Sequence, residues 1–109
     1  MGKMYKVKLT VIKREHNPDL CEEYLSDPSS IGPCGMFTDG QEFVVDGFLG
    51  CPEGMCTEAW QTLWPSLLAI SRGGTFAPYT KRENEWVACC PDGLRPVVFR
   101  IERGEEMAF

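Results

Sequence analysis

Six cysteines are the residues of this chain with the most reactive chemistry: Cys21, Cys34, Cys51, Cys56, Cys89 and Cys90. The spacing C-x-x-C is absent, which removes the zinc-ribbon knuckle and the thioredoxin-type redox pair. Several of the cysteines lie in Gly- and Pro-containing stretches, namely "GPCG", "PEGMC" and "ACCPDG". In such turns, backbone N–H groups can approach a thiolate and stabilise its charge, which suits metal or iron–sulfur ligation.

Cysteines from three of these segments could combine into one site. Cys51 and Cys56 lie five residues apart in a loop that can fold back on itself. Because successive side chains of a strand point to opposite faces, Cys89 and Cys90 are not expected to serve as equals. The spacing allows a four-thiolate site made of Cys34, Cys51, Cys56 and one of the adjacent pair.

Other roles for the thiols stay open at this point. Reduced cysteines are among the residues most often buried, so packing alone accounts for several of them. Stable disulfides are disfavoured because nothing in the sequence indicates secretion. Cys56 precedes the predicted helix start at Thr57, where the helix dipole lowers the pKa of a thiol, so Cys56 is the best candidate for a reactive nucleophile. The one histidine, His16, lies beyond the first strand and is expected to be exposed.

Two charged residues follow the last cysteines on the "PDGLR" turn. Arg95 could hold a carboxylate or phosphate with its planar guanidinium group, and Asp92 is the other candidate ligand-binding residue. The structural alternative is that Asp92 hydrogen-bonds its own turn before Gly93 and that Arg95 pairs locally.

The hydrophobic pattern predicts an α+β fold with one domain over residues 1–109: a small, mainly antiparallel sheet of about four strands, covered by one longer helix, with one short helix besides. Strands are predicted at Tyr5 to Lys13, at Gln41 to Val45, in "EWVACC" and in "RPVVFRIER", with the last two forming a hairpin and the first pairing with the last. The short helix is predicted to have Asn17 as its N-cap and Pro18 as its first helical residue. The longer helix begins at Thr57, is kinked or broken at Pro65, and ends at Gly73-Gly74.

Aromatic side chains are predicted to fill most of the core. The longer helix shows apolar residues at helical spacing, and its tryptophans are expected to meet aromatic residues of the strands. The predicted set is Phe43, Trp60, Trp64, Trp86 and Phe99.

Charge and composition exclude several classes of partner. The chain has 11 Lys and Arg residues against 16 Asp and Glu, a net charge of −5, which disfavours nucleic acid and anionic membranes. Its first residues carry a basic side chain every few positions and no continuous apolar run, so a cytoplasmic location is expected, with thiols kept reduced. A protein partner or a homo-oligomer is left open.

The stretches "YKVKLTVIKRE", "GPCGMFTDGQEFVVDG", "PEGMCTEAW" and "CCPDGLRPVVFRIER" resemble a family of small cysteine-containing proteins found largely in anaerobic bacteria and archaea. The resemblance implies no particular activity. It does imply that the shared cysteines are Cys34, Cys56, Cys89 and Cys90, whereas Cys21 and Cys51 are additions. We expect a small binding domain in which Cys34, Cys56 and one or both of Cys89 and Cys90 hold zinc or an iron–sulfur centre, with a redox protein using Cys56 and a purely structural domain as the alternatives.

Overall fold

In the described part of the chain, four antiparallel strands form one sheet, and two helices accompany it. The computed structural model describes residues 3–108. The strands are β1 (Tyr5–Arg14), β2 (Glu42–Val45), β3 (Glu85–Cys89) and β4 (Val97–Glu106), and the helices are α1 (Pro18–Tyr24) and α2 (Thr57–Ser71), with a 3-10 turn at Pro28–Ser30. The strand order is β2-β1-β4-β3. The predicted α+β class is therefore confirmed.

The two long strands β1 and β4 are the centre of the sheet, and their sequence alternation determines its buried face. Val11 lies opposite Phe99, and Leu9 lies opposite Ile101. Side chains at these positions are completely buried, whereas the intervening residues lie on the other face. Both pairings predicted from the sequence are confirmed, that of the first strand with the last and that of β3 with β4.

Helix α2 covers the buried face of the sheet with a narrow stripe of apolar residues. The stripe is formed by Ala59, Leu63, Leu67 and Ile70, all with no exposed surface. The prediction that Trp64 belongs to the core is wrong, because 39% of its surface is exposed. Successive residues of an α-helix are rotated by about 100 degrees about its axis. Trp64, the residue after Leu63, therefore lies at the edge of the stripe.

Pro65 does not break this helix in two. Helix α2 runs without interruption from Thr57 to Ser71 with Pro65 inside it, so of the two predicted alternatives, a kink or a division into two helices, the division is wrong. Proline removes a single backbone donor, whereas Leu63 and Leu67 on either side of it are both buried against the core. Packing against the sheet therefore keeps the helix continuous although Pro65 cannot donate a backbone hydrogen bond.

Two glycines end α2, as predicted. Gly73 adopts a φ of 85°, which favours glycine, and the Gly74 N–H donates to the Ala69 carbonyl at 2.8 Å. A Cβ on Gly74 would lie 2.8 Å from that same backbone oxygen. Arg103 from β4 then donates to the carbonyls of Ile70 and Gly74, which ties this end of α2 to the sheet.

Neither helix in the described part of the chain combines the length and the apolarity that a bilayer crossing requires.

Candidate functional site: a pocket lined by three cysteines

The candidate site lies at the N-terminal end of α2, away from the glycines that end the helix. It is a pocket of about 140 Å³ between three segments that are far apart in sequence. Its walls are the loop before β2, the first turn of α2, and the turn that joins β3 to β4. The lining residues are Cys34, Met36, Phe37, Cys56, Glu58, Ala59, Cys90, Pro91, Asp92, Arg95 and Val97.

Five of the six site residues predicted from the sequence line this pocket. Three are the thiols Cys34, Cys56 and Cys90, and the other two are Asp92 and Arg95. The sixth, Cys89, is not part of the lining. The exposed Cys51 and the buried Cys21 also lie outside it.

Cys34 is held in place through its backbone and through its neighbours in the loop. Arg14, the last residue of β1, donates from its guanidinium to the Cys34 carbonyl at 2.8 Å. The same guanidinium donates to the Asp39 carboxylate at 3.0 Å. Phe37, which is 3% exposed, packs edge-on against Phe99 at 5.3 Å between ring centroids and against Phe43 at 6.0 Å. The loop is thus anchored to both the strand end and the core.

Cys56 occupies the N-cap position of α2. Its backbone is extended, with φ of −66° and ψ of 128°, and its carbonyl accepts the Trp60 N–H at 2.9 Å. The predicted helix start at Thr57 is therefore confirmed. No side chain caps the first turn of α2. The first backbone N–H groups of a helix lack intrahelical partners, so they can stabilise negative charge that develops on a group beside them.

Cys90 lies just beyond the end of β3, where the chain turns toward β4. Its N–H donates to the Val97 carbonyl at 3.0 Å, and its Sγ accepts the Val97 N–H at 3.2 Å. The Val97 N–H thereby fixes the position of the Cys90 sulfur. Strand alternation is consistent with the result that Cys90 faces the pocket and Cys89 does not.

The turn that carries Asp92 and Arg95 is tied together by Asp92 itself. Its Oδ1 accepts the N–H groups of Leu94 at 2.8 Å and of Arg95 at 3.1 Å. Asp92 therefore stabilises its own turn, which was the alternative to ligand binding predicted from the sequence. The same carboxylate also lines the pocket. Asn17 supports the turn from outside, since its side chain donates to the Gly93 carbonyl at 2.8 Å instead of capping α1.

The surroundings of the Cys89 thiol oppose its ionisation. Burial raises its pKa first, because loss of water disfavours the thiolate. The neighbouring Cys90 raises the pKa further through its charge and a side-chain hydrogen bond, and the charges of Glu15 and Asp92 add to the effect. Cys89 is therefore held as a neutral thiol.

The raised pKa of Cys89 predicts a loss of stability at high pH. Since the folded protein binds this proton more tightly than the unfolded chain does, the stabilising effect is complete below the ordinary thiol pKa of 9.0 and disappears as pH rises through the folded value. We expect the free energy of unfolding of the wild type to fall relative to that of Cys89→Ser between about pH 8 and about pH 10. Urea unfolding under reducing conditions measures the difference.

Cys51→Ser is the matched control for this pH series, because Cys51 is exposed. Its unfolding free energy should follow the wild type across the same range. If the difference between Cys89→Ser and the wild type stays constant with pH, the environment of Cys89 does not oppose its ionisation.

The thiols of the pocket do not form a ready-made metal site. Across residues 3–108, no group of three or more His, Cys, Asp or Glu side chains is arranged to hold a metal ion. The predicted zinc or iron–sulfur ligation by Cys34, Cys56, Cys89 and Cys90 therefore stays a prediction. His16 does not line the pocket, so it does not form a pair with Cys56 there.

Two residues that shape the site were not singled out from the sequence. Arg14 looks like the charged end of a strand, and its contact with the Cys34 carbonyl depends on a loop conformation that no local pattern encodes. Phe37 stands in the turn-rich stretch "GPCGMFTDG". A lone aromatic residue between turns was the available signal that this loop is anchored in the core.

No family model, no curated protein and no solved structure matches this chain. The resemblance to small cysteine-containing proteins of anaerobes thus stays a prediction. Fold and site together define an α+β domain with a pocket that three cysteines line.

Proposed function

We propose that this domain carries out thiol–disulfide exchange, with Cys56 as the attacking thiol. One observation supports the proposal above all others. Cys56 stands at the N-terminus of α2 and at the same time lines a pocket with two further thiols, those of Cys34 and Cys90. A nucleophile, a second thiol and a space for a substrate are thus in one place.

The position of Cys56 suits a nucleophile. The reactive form of cysteine is the thiolate. The N–H groups of the first helical turn lack intrahelical partners and can interact with negative charge on a group beside them. Helix α2 has 15 residues and is buried along one side, so its first turn is a firm support for the sulfur. The predicted cytoplasmic location is compatible with this chemistry, since thiols are kept reduced there.

The exchange proceeds in two balanced steps. In the first, the Cys56 thiolate attacks one sulfur of a small disulfide, a Cys56–substrate S–S bond forms, the substrate S–S bond breaks, and one thiolate leaves and takes a proton from water. In the second, the Cys90 thiolate attacks Cys56 Sγ, a Cys56–Cys90 S–S bond forms, the Cys56–substrate S–S bond breaks, and the other half of the substrate leaves as a thiolate that takes a proton from water. The two cysteines lose two electrons, which the substrate disulfide gains.

Cys90 is the best second thiol because the Val97 N–H already donates to its sulfur. This hydrogen bond holds in place the sulfur that attacks in the second step. Cys34 lines the same pocket and is the alternative, with its carbonyl held by Arg14.

A metal centre on Cys34, Cys56 and Cys90 is the second candidate function. It is favoured by the convergence of three thiols from three separate segments on one pocket. A single zinc ion needs its sulfurs at about 2.3 Å, so the side chains would have to turn inward when the ion binds. An iron–sulfur cluster has its thiolates on different iron atoms and needs less convergence.

One experiment on the intact chain separates the two candidates. The protein is purified anaerobically, its metal content and absorbance are recorded, and the reduced protein is treated with limiting 2-hydroxyethyl disulfide before acid quenching and peptide mass spectrometry. We expect the first adduct on Cys56, followed by an internal disulfide between Cys56 and Cys90. The exposed Cys51 in the same molecule reports the intrinsic reactivity of the reagent.

Two results would count against exchange. Adducts that form on Cys51 while Cys56 stays reduced would show that the pocket thiol is not the nucleophile. Stoichiometric metal with a charge-transfer band would favour the metal centre instead.

A further inference from the structure

Arg95 brings an anion-binding group into the same pocket as the three thiols. Its side chain is 33% exposed and lines the pocket together with Cys56 and Cys90. A guanidinium has five N–H donors in one plane. Within residues 3–108 the one carboxylate within 4.0 Å of its guanidinium is that of Asp92, whose Oδ2 lies 3.9 Å from Arg95 Nε, beyond hydrogen-bond distance.

The Asp92 carboxylate is not in close contact with the Arg95 guanidinium, because one of its two oxygens is hydrogen-bonded within the turn. Oδ1 of Asp92 already accepts two backbone N–H groups, those of Leu94 and of Arg95. The Arg95 guanidinium therefore has donors available on the pocket side. A carboxylate is the ligand group whose two oxygens match those donors in a bidentate pair.

We propose that Arg95 makes the pocket selective for low-molecular-weight disulfides that carry a carboxylate. The inference rests on the proposed exchange at Cys56 and names its substrate class. Arg95 holds the carboxylate without changing it, while the S–S bond of the substrate is placed before the Cys56 sulfur. Covalent change is confined to the sulfurs, as in the two steps above.

The pocket also limits how much negative charge it accepts. Glu58, in the first turn of α2, is exposed and lines the pocket with Arg95 and Asp92. Its carboxylate repels a second anionic group on the substrate, so Glu58→Gln should speed the reaction of a dicarboxylate disulfide by about 2-fold at most, as for an exposed charge.

Three disulfides of similar size and different charge test the proposal on the intact protein. They are 3,3′-dithiodipropionate, neutral 2-hydroxyethyl disulfide and cationic cystamine. For each, the rate of adduct formation at Cys56 is divided by the rate at Cys51 in the same molecule, which cancels the reactivity of the reagent. We expect Arg95→Gln to lower this ratio about 10-fold for the carboxylate disulfide and to leave it unchanged for the neutral one.

Arg82→Gln is the matched control, because Arg82 is an exposed arginine that pairs with Glu85 and does not line this pocket. It should leave all three ratios unchanged. An equal drop for all three disulfides in Arg95→Gln would overturn the proposal, since it would mean that Arg95 only maintains the turn. A failure of the exchange itself would look different, because Cys56 would then be unreactive even toward the neutral disulfide.

A second measurement tests the carboxylate subsite without any exchange. The thioether 3,3′-thiodipropionate has the two carboxylates but no S–S bond, and it is added during alkylation of Cys56 by iodoacetamide. We expect protection of Cys56 in the wild type and in Arg82→Gln, and loss of protection in Arg95→Gln. Equal protection with and without Arg95 would overturn the proposal even if Cys56 does not exchange.

Discussion

Cys56→Ser is expected to slow the reduction of small disulfides by the intact domain by about 100-fold or more, because a serine hydroxyl does not ionise near neutral pH. The substitution keeps the size and the polar character of the side chain. It removes only the sulfur that the exchange uses. Release of free thiol from 2-hydroxyethyl disulfide, followed under anaerobic conditions, measures the loss.

The fold should survive this substitution. Cys56 is the N-cap of α2, and no side-chain hydrogen bond fills that role in the native chain. Serine is among the residues that cap helices best, since its oxygen accepts an N–H of the first turn. We therefore expect an unfolding free energy equal to or higher than that of the wild type, so that lost exchange is not the result of lost structure.

Two further serine variants distinguish the roles of the other thiols. Cys90→Ser should leave the first step intact and trap the substrate as a mixed disulfide on Cys56. Cys51→Ser should behave as the wild type, because Cys51 is exposed and lies outside the pocket. A Cys56→Ser protein that reduces disulfides at the wild-type rate would exclude Cys56 as the nucleophile and move attention to Cys34 or Cys90.

The sheet could be predicted from the sequence because strand alternation is a local signal. Apolar residues at every second position of β1 and β4 are the ones that the structure buries, from Val7 to Val11 and from Val97 to Ile101. The match in length and alternation also indicated that these strands pair, which the structure confirms. Patterns of this kind depend on neighbouring residues alone.

Helix α2 shows where a local pattern is less informative. Periodicity indicates that one side of the helix is apolar, but Trp60, Leu63 and Trp64 all fit a broad apolar side. Which part of that side meets the sheet depends on how closely the two can approach. Small Ala59 and the leucines Leu63 and Leu67 are the residues that are completely buried, so Trp64 lies at the rim.

The cysteines that line the pocket could be predicted from the sequence, but the geometry of the pocket could not. Turn residues around Cys34, Cys56 and Cys90 indicated that these thiols were candidates for one site, and all three line the pocket. The relative positions of these thiols depend on tertiary contacts. One example is the hydrogen bond between Arg14 and the Cys34 carbonyl, which joins segments 20 residues apart. No spacing rule contains such a contact, so the sequence could not distinguish a metal site from a reactive pocket.

The second large effect is expected at Phe37, which connects the stability of the core to the shape of the pocket. Phe37→Ala should lower the free energy of unfolding by about 3–5 kcal/mol, the usual cost of removing a buried aromatic ring. The ring is 3% exposed and contacts both Phe43 and Phe99 edge-on, so its removal leaves a void between β2, β4 and the loop. Urea unfolding measures the loss.

The Phe37→Ala substitution should make the Cys34 thiol more accessible to reagents than the Cys56 thiol. Cys34 lies three residues before Phe37 and depends on that anchor, so iodoacetamide should alkylate it faster in Phe37→Ala. Cys56 lies at the N-terminus of α2, which is held by its own buried residues along the length of the helix, so its alkylation rate should change less than that of Cys34. Peptide mass spectrometry of the labelled protein, in conditions where it is folded, follows both sites.

Met36→Ala is the matched control, because Met36 is the preceding residue, lines the same pocket and is 60% exposed. An exposed side chain contributes little to the core, so this variant should lose about 0.5 kcal/mol or less. Equal small losses for the two variants would mean that the loop is not anchored through Phe37. A large loss for Phe37→Ala without faster labelling of Cys34 would mean that Arg14 alone holds the cysteine loop, through the carbonyl of Cys34.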